Sequence, residues 1–235
     1  LKTRRIAGAV PLFNRAVIRH SVDGLMLLAE AVVVIQPAGQ PGSDCPGGGH
    51  GTHVAGIVAG DATAGFADGS GFLYGLGMAP ETGIFALNVF GDISLSDATQ
   101  VAILGGAIGS NNSWSTTGLA GVGYTADARL EDILVRDGDL DTPEPKEAKN
   151  LLSVANSLNA RAGNIAALSS SSSRGPAIDG RTLPTVAAPG SSIASTRNDT
   201  GGSCATAIAG TSNRYALCSG TSMAVTPRFT SCCQR

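Results

Sequence analysis

A chain of 235 residues fits one domain of ordinary size or two small ones, and 43% hydrophobic residues suffice for a real core. Only 14% of residues are charged, with 16 Lys and Arg against 18 Asp and Glu, which excludes charge-driven disorder and a basic nucleic-acid binder as first readings. No apolar run reaches the roughly 18 residues of a membrane helix, and 32 Gly with 4% aromatics suit the tight turns of a compact α/β enzyme.

Lys2, Arg4, Arg5, Arg15 and Arg19 precede the first acid, Asp23, and read as a solvated basic face. The apolar run after them is interrupted by Glu30 and lacks a small-x-small cleavage site, which argues against a secretion signal. Residues 31–35 (AVVVI) read as a buried strand ended by Gln36-Pro37, and the Gly/Pro-rich stretch 37–49 reads as loop. In 50–60, His50, Val54 and Ile57 or Val58 recur at helical spacing. Residues 84–90 (IFALNVF) predict a strand, 96–109 a helix with Ala98, Val101, Ala102 and Leu104 apolar, and 111–115 (NNSWS) a second strand or edge segment. Residues 147–154 predict a short strand, 169–173 have the composition of a linker, and 186–194 form a strand-and-turn unit around Pro189-Gly190. Alternating strands and helices predict an α/β fold with a mostly parallel sheet covered on both faces, and no second domain is required.

The five cysteines are Cys45, Cys204, Cys218, Cys232 and Cys233, an odd number that cannot all pair within the chain. No CxxC occurs, so a zinc ribbon or thioredoxin-type site is not expected. Cys204 and Cys218 could bridge a short loop; the blander alternative leaves most thiols free.

Two segments carry chemistry together: GGGHGTHVAG at 47–56 and SGTSMA at 219–224. A serine hydroxyl is a poor nucleophile near neutral pH and needs a neighbouring imidazole to take its proton. A helix N-terminus beside it supplies backbone N–H groups and a positive dipole end for a developing oxyanion. Gly220 allows a tight turn into such a helix, and Gly51 allows close backbone approach near His50. Two other readings are weaker. Metal binding by His50, His53 and Cys45 lacks an HExxH glutamate to activate water. A lipase-type hydrolase lacks its G-x-S-x-G elbow.

These segments resemble the subtilisin-like serine peptidases, especially their larger, oxidation-tolerant alkaline branch. GGHGTHVAG at 48–56, YGLGMAP at 74–80, NNSW at 111–114, EAKN at 147–150, SSRGPAIDGRTLP at 172–184, VAAPGSSIAST at 187–196 and SGTSMA at 219–224 occur in family order. The resemblance covers about residues 42–224 with gaps. It implies a subtilisin-like three-layer fold in one peptidase domain over 1–235, with 1–40 and 225–235 atypical. It implies a serine endopeptidase in which His50 is the general base and Ser222 the nucleophile. His53 aligns with a histidine that supports structure. Ser113, Trp114 and Ser115 would offer backbone groups to an extended polypeptide substrate; core packing is the plain alternative for Trp114. The resemblance also implies an extracellular, secreted protein, and a monomer is expected. The lack of a basic stripe beyond residues 2–19 and of a long apolar run predicts no nucleic-acid or membrane partner. No cofactor is required. Structural calcium is compatible with the family, but its ligands are unknown, and Asp61, Asp68 and Asp92 read as ordinary loop acids.

Three departures separate this chain from the family pattern and leave room for an incomplete fold. Gln36 stands where the family has the Asp that orients its histidine, and a neutral amide cannot offset an imidazolium. Asp23 is the only substitute in view; a surface turn is the plainer reading of it. The segment with the Asn that helps bind the oxyanion is missing, since 135–145 runs directly into KEAKN; Asn164 lies on the wrong side of that anchor to replace it. After the nucleophile, Val225 is inserted before Thr226-Pro227, which on a helix rotates every later residue by roughly 100°. The chain therefore reads as a truncated or internally deleted member, and the alternative function is a catalytically impaired pseudoprotease or gene fragment.

Overall fold

A computed structural model describes residues 31–36, 49–80, 83–88, 94–104, 107–112, 124–137, 153–159, 167–172, 174–198, 204 and 206–224. The elements in chain order are β1 (Ala31–Gln36), α1 (His50–Ala59), β2 (Gly83–Asn88), α2 (Leu95–Leu104), β3 (Ala107–Asn112), α3 (Ala126–Asp137), β4 (Val154–Ser157), β5 (Val186–Pro189), β6 (Ile193–Thr196) and β7 (Tyr215–Cys218). A 3-10 turn, Thr221–Met223, comes after β7.

β1 is the β-branched run AVVVIQ, and it forms the middle of a parallel sheet ordered β2-β1-β3. Val33 pairs with Phe85 on one side and with Ser110 on the other. Parallel neighbours need a crossover of a dozen or more residues; α1 lies between β1 and β2 in the chain, and α2 between β2 and β3. β4 and β5 form a second parallel pair, and β6 and β7 an antiparallel one. A disulfide, Cys204–Cys218, ties the connection between β6 and β7 to the last residue of β7, with Cα atoms 5.2 Å apart. The structure therefore selects the bridged alternative for these two cysteines.

The best-defined apolar cluster joins α1 to the end of the chain's last described segment. Val54, Ile57, Cys204 and Met223 are buried together, with Ile84, Ile193 and Cys218 packed against them. Val58 and Ala59 form a second buried cluster, with Ile84 packed against it as well.

Several elements differ from the sequence-based expectation. The helix expected over 96–109 ends at Leu104, and residues 107–109 belong to β3. Gly105-Gly106 lies between the two, and glycine is a poor helix former because it loses the most backbone freedom on folding. At its start Ser94 caps α2: Asp97 N–H donates to Ser94 Oγ (3.0 Å), and that hydroxyl donates to Asp97 Oδ2 (2.9 Å). The strand expected over 147–154 is met only at its last residue; β4 begins at Val154 and runs to Ser157, while 147–152 lie outside the described residues. α3 has no counterpart among the expected elements. Thr125 caps it by accepting from the Ala128 N–H (3.3 Å), and Ala128, Leu130 and Leu134 are buried.

Residues 169–172 of the serine run do not form a solvated linker. Ser169 and Ser172 are buried, and Ser172 Oγ accepts from the backbone N–H of Asn156 at 3.0 Å. Short hydroxyl side chains satisfy β4 where a long loop would otherwise leave polar groups unpaired.

Candidate active site

α1 opens on His50, capped by Gly49 in a left-handed conformation (φ 77°). The His53 N–H donates to Gly49 O (3.0 Å) and closes the first turn. His50 is half-buried, while three residues on, His53 is fully buried.

Three side chains fasten α1 to the β6–β7 pair. Ser195 Oγ donates to His53 O (2.8 Å), and Thr196 Oγ1 donates to Thr52 O (2.7 Å). His53 Nε2 lies 3.1 Å from Ile193 O and 3.2 Å from Ala216 O, so it carries the proton and bridges both strands. Gly56 permits the close approach, because a Cβ there would overlap Thr196 Oγ1 and Ser195 Oγ. Burial holds the His53 pKa below its ordinary value of 6.5, against the opposing pull of the two carbonyls. A neutral, doubly bonded, buried imidazole is a structural strut, the role the resemblance implied for it.

Beyond β7 the chain turns back under the end of β5. Gly220 N–H donates to Gly190 O (2.9 Å), Ser219 Oγ accepts from Ser192 N–H (2.7 Å), and Met223 N–H donates to Gly220 O (3.0 Å). Ser222 lies inside the resulting 3-10 turn. The next side chain, Met223, is 2% exposed and enters the cluster with Val54, one helical turn after His50. The helix led by His50 and the turn that contains Ser222 are thus packed on each other.

β1 ends at Gln36, in register with Asn88 of β2, so a residue with a neutral side chain closes that strand. β3 ends at Asn112, immediately before the proposed substrate-pairing residues. Asp23, Ser113, Trp114 and Ser115 lie outside the described residues, as do Cys45, Asp92 and Asn164.

The loop acids that are described serve their own turns. Asp61 Oδ1 accepts from the Thr63 N–H and hydroxyl (3.0 and 2.9 Å), and Asp68 Oδ1 from the N–H groups of Ser70 and Phe72 (2.8 and 3.1 Å). Among the described residues no three His, Cys, Asp or Glu side chains come together as a metal site. Among the same residues no helix is long and apolar enough to cross a membrane. Two open depressions of about 400 and 550 Å³ sit at the far end of α1, with Thr63, Ala64, Ser212 and Arg214 lining both. The larger one also reaches Thr196, the residue that fastens β6 to Thr52 in the first turn of α1.

Sequence reasoning missed Asn156. It is completely buried on β4, beneath Gly190 and the Ser222 turn. Nothing in the string LSVANSL sets it apart from a loop asparagine.

This is an α/β fold of the parallel-sheet class, with a histidine-led helix lying on a serine-bearing turn. The sequence model of the Subtilase family matches residues 35–232, and the chain belongs to that family. At the level of the family it is a serine-type peptidase acting on polypeptides. Among solved structures it is similar to the self-cleaved protease domain of PatA, with 20% identity over 85% of this chain and 76% of that one and a TM-score of 0.51. It is also similar to the prenylagaramide maturation protease PagA, with 24% identity over 84% of this chain and 71% of that one and a TM-score of 0.49. Sphericase matches at 24% identity over 77% of this chain and 60% of that one, with a TM-score of 0.44. The PatA comparison supports the subtilisin-like fold. No curated protein matches the chain.

Proposed function

We propose that the chain cleaves peptide bonds through an acyl-enzyme on Ser222, with His50 as general base. The observation that carries the reading is the shared buried cluster of Met223 and Val54, in which the Ser222 turn meets the helix that begins at His50. In this reading Ser222 Oγ attacks the scissile carbonyl carbon while His50 accepts its proton. The C–N bond then breaks as His50 returns that proton to the leaving amine. Water, deprotonated by His50, attacks the ester carbon; the C–Oγ bond breaks as His50 returns that proton to Ser222 Oγ, and the acid product leaves. An extended segment of substrate pairs with the backbone of Ser113, Trp114 and Ser115, prolonging β3. Asp23 is the carboxylate assigned to orient His50. Reaction with a fluorophosphonate tests the proposal: a covalent adduct on Ser222 supports it, and intact folded protein with no adduct rejects it.

A second reading has its own observation. β1 ends in Gln36, where the family places its orienting Asp. Loss of that acid typically costs about 10⁴-fold in turnover. Loss of one side-chain oxyanion donor costs roughly 2.7–4 kcal/mol of transition-state stabilisation. A chain lacking both is a catalytically impaired relative that keeps its histidine and serine strings. Gln36→Asp separates the readings: a large rise in adduct formation identifies impairment, and an unchanged rate removes Gln36 as its cause.

A further inference from the structure

The Asn156 side chain is fully buried, and its polar atoms are unequally used. Its Nδ2 donates to Ser171 Oγ (3.1 Å), whereas Oδ1 accepts no hydrogen bond among the described residues. An unmet buried polar atom costs about 1–3 kcal/mol. The backbone of the same residue is fully engaged: its N–H donates to Ser172 Oγ and its C=O accepts from the Ser169 N–H (2.8 Å). Asn156 is therefore held on both sides while one end of its carboxamide faces outward from this hydroxyl cluster.

That end faces Gly190. A Cβ placed on Gly190 would lie 2.5 Å from Asn156 Oδ1 and 2.6 Å from Gly220 O, so both oxygens press on one face of this glycine. Gly190 must lack a side chain for the three segments to meet. Gly190 also donates its N–H to Ser157 O (3.1 Å) and accepts from Gly220 N–H, while Gly220 O accepts from Met223 N–H. The chain of contacts runs from Asn156 through Gly190 and Gly220 to the turn that contains Ser222.

The carboxamide is nearly symmetric in shape, and its O and N ends are distinguished only by their partners. Rotating it by half a turn keeps the Ser171 contact, with the hydroxyl now donating and the carboxamide oxygen accepting. Ser171 Oγ can in turn accept from Ser169 Oγ, 3.0 Å away. The NH₂ group then takes the place beside Gly190 that the oxygen held, on the side of that glycine where Gly220 O also lies. The carboxamide oxygen, unmet in the first orientation, then has the Ser171 hydroxyl as its donor.

We infer that Asn156 is a positioning residue: its buried carboxamide donates to the Gly190–Gly220 contact and sets the start of the Ser222 turn. The inference rests on the proposed role of Ser222 for its catalytic meaning, and on the buried carboxamide's unmet oxygen and its closeness to Gly190 for its structural one.

Amide hydrogen exchange on the full chain, with Asn156→Ala and Asn156→Asp, tests it. In Asn156→Ala the Gly220, Met223 and Ala224 amides exchange roughly tenfold faster while the amides of α1 keep their rates. Asn156→Asp keeps the shape but donates only when protonated, and burial raises its pKa. After correction for the intrinsic pH dependence, the turn in Asn156→Asp is protected at low pH and loses protection as pH rises. A residue that only fills space gives equal protection in Asn156→Asp at all pH values; that result, uniform acceleration of all amides, or no change overturns the inference. Fluorophosphonate labelling adds the catalytic arm: Asn156→Ala lowers the limiting rate of adduct formation and leaves the reagent's half-saturation unchanged. If the unsubstituted chain takes no label, the peptidase reading fails by itself, and the exchange pattern still decides the role of Asn156.

Discussion

Met223 and Val54 lie in one buried cluster, although 169 positions separate them in the chain. Val54 comes one helical turn after His50, and Met223 comes directly after Ser222. Position along the sequence therefore converts a hydrophobic contact into proximity of two chemically distinct segments. Met223→Ala removes a buried side chain and should cost about 2–5 kcal/mol, read from urea unfolding. Met223→Leu, which nearly conserves volume, should cost less than about 1.5 kcal/mol. Equal stabilities for both variants would mean that the cluster does not hold the turn.

Gly56 lies inside α1, where glycine is normally about 1 kcal/mol worse than alanine. Gly56→Ala should nevertheless destabilise the protein by about 1–3 kcal/mol, because the new methyl meets Thr196 Oγ1 and Ser195 Oγ. Thermal unfolding measures the sign. A rise in midpoint would show that α1 does not sit this tightly on β6.

His53 gives the fold a pH dependence of known sign. Unfolded, it titrates at its ordinary value of 6.5; folded, burial lowers that value. Above pH 6.5 both states are neutral and this group adds no slope. Below it the unfolded chain binds a proton that the fold refuses, so stability falls until the folded value is passed. Urea midpoints from pH 8 to 5 should fall more steeply for the unsubstituted protein than for His53→Gln. Parallel slopes would remove His53 as the source.

Cys204 and Cys218 enclose a loop with a sequence separation of 14. Chain-entropy arguments give about 3 kcal/mol for a loop of that size. Reduction should lower the unfolding free energy by roughly that amount, and an unchanged midpoint after confirmed reduction would show that the bridge adds nothing to stability.

The sequence made α1 legible because His50, Val54 and Ile57 share one face and a glycine-rich run precedes them. β1 was legible for a different reason: four β-branched residues in a row leave few alternatives to a strand. α3 was hidden by its composition, since buried Glu131 and Asp132 blur the apolar stripe that Leu130 and Leu134 begin. The serine run misled for the reverse reason. Composition suggests solvent, yet Ser172 and Ser171 are partners for a buried asparagine whose burial no local pattern announces. The histidine and serine segments were readable as chemistry; how they pack, and what lies beneath the serine turn, depended on contacts between distant residues.

The most direct test is fluorophosphonate labelling of the full folded chain near pH 8, with mass mapping of the adduct. The account predicts one adduct, on Ser222, lost in Ser222→Ala and strongly slowed in His50→Ala. An adduct elsewhere, or a Ser222 adduct formed equally fast without His50, would contradict it.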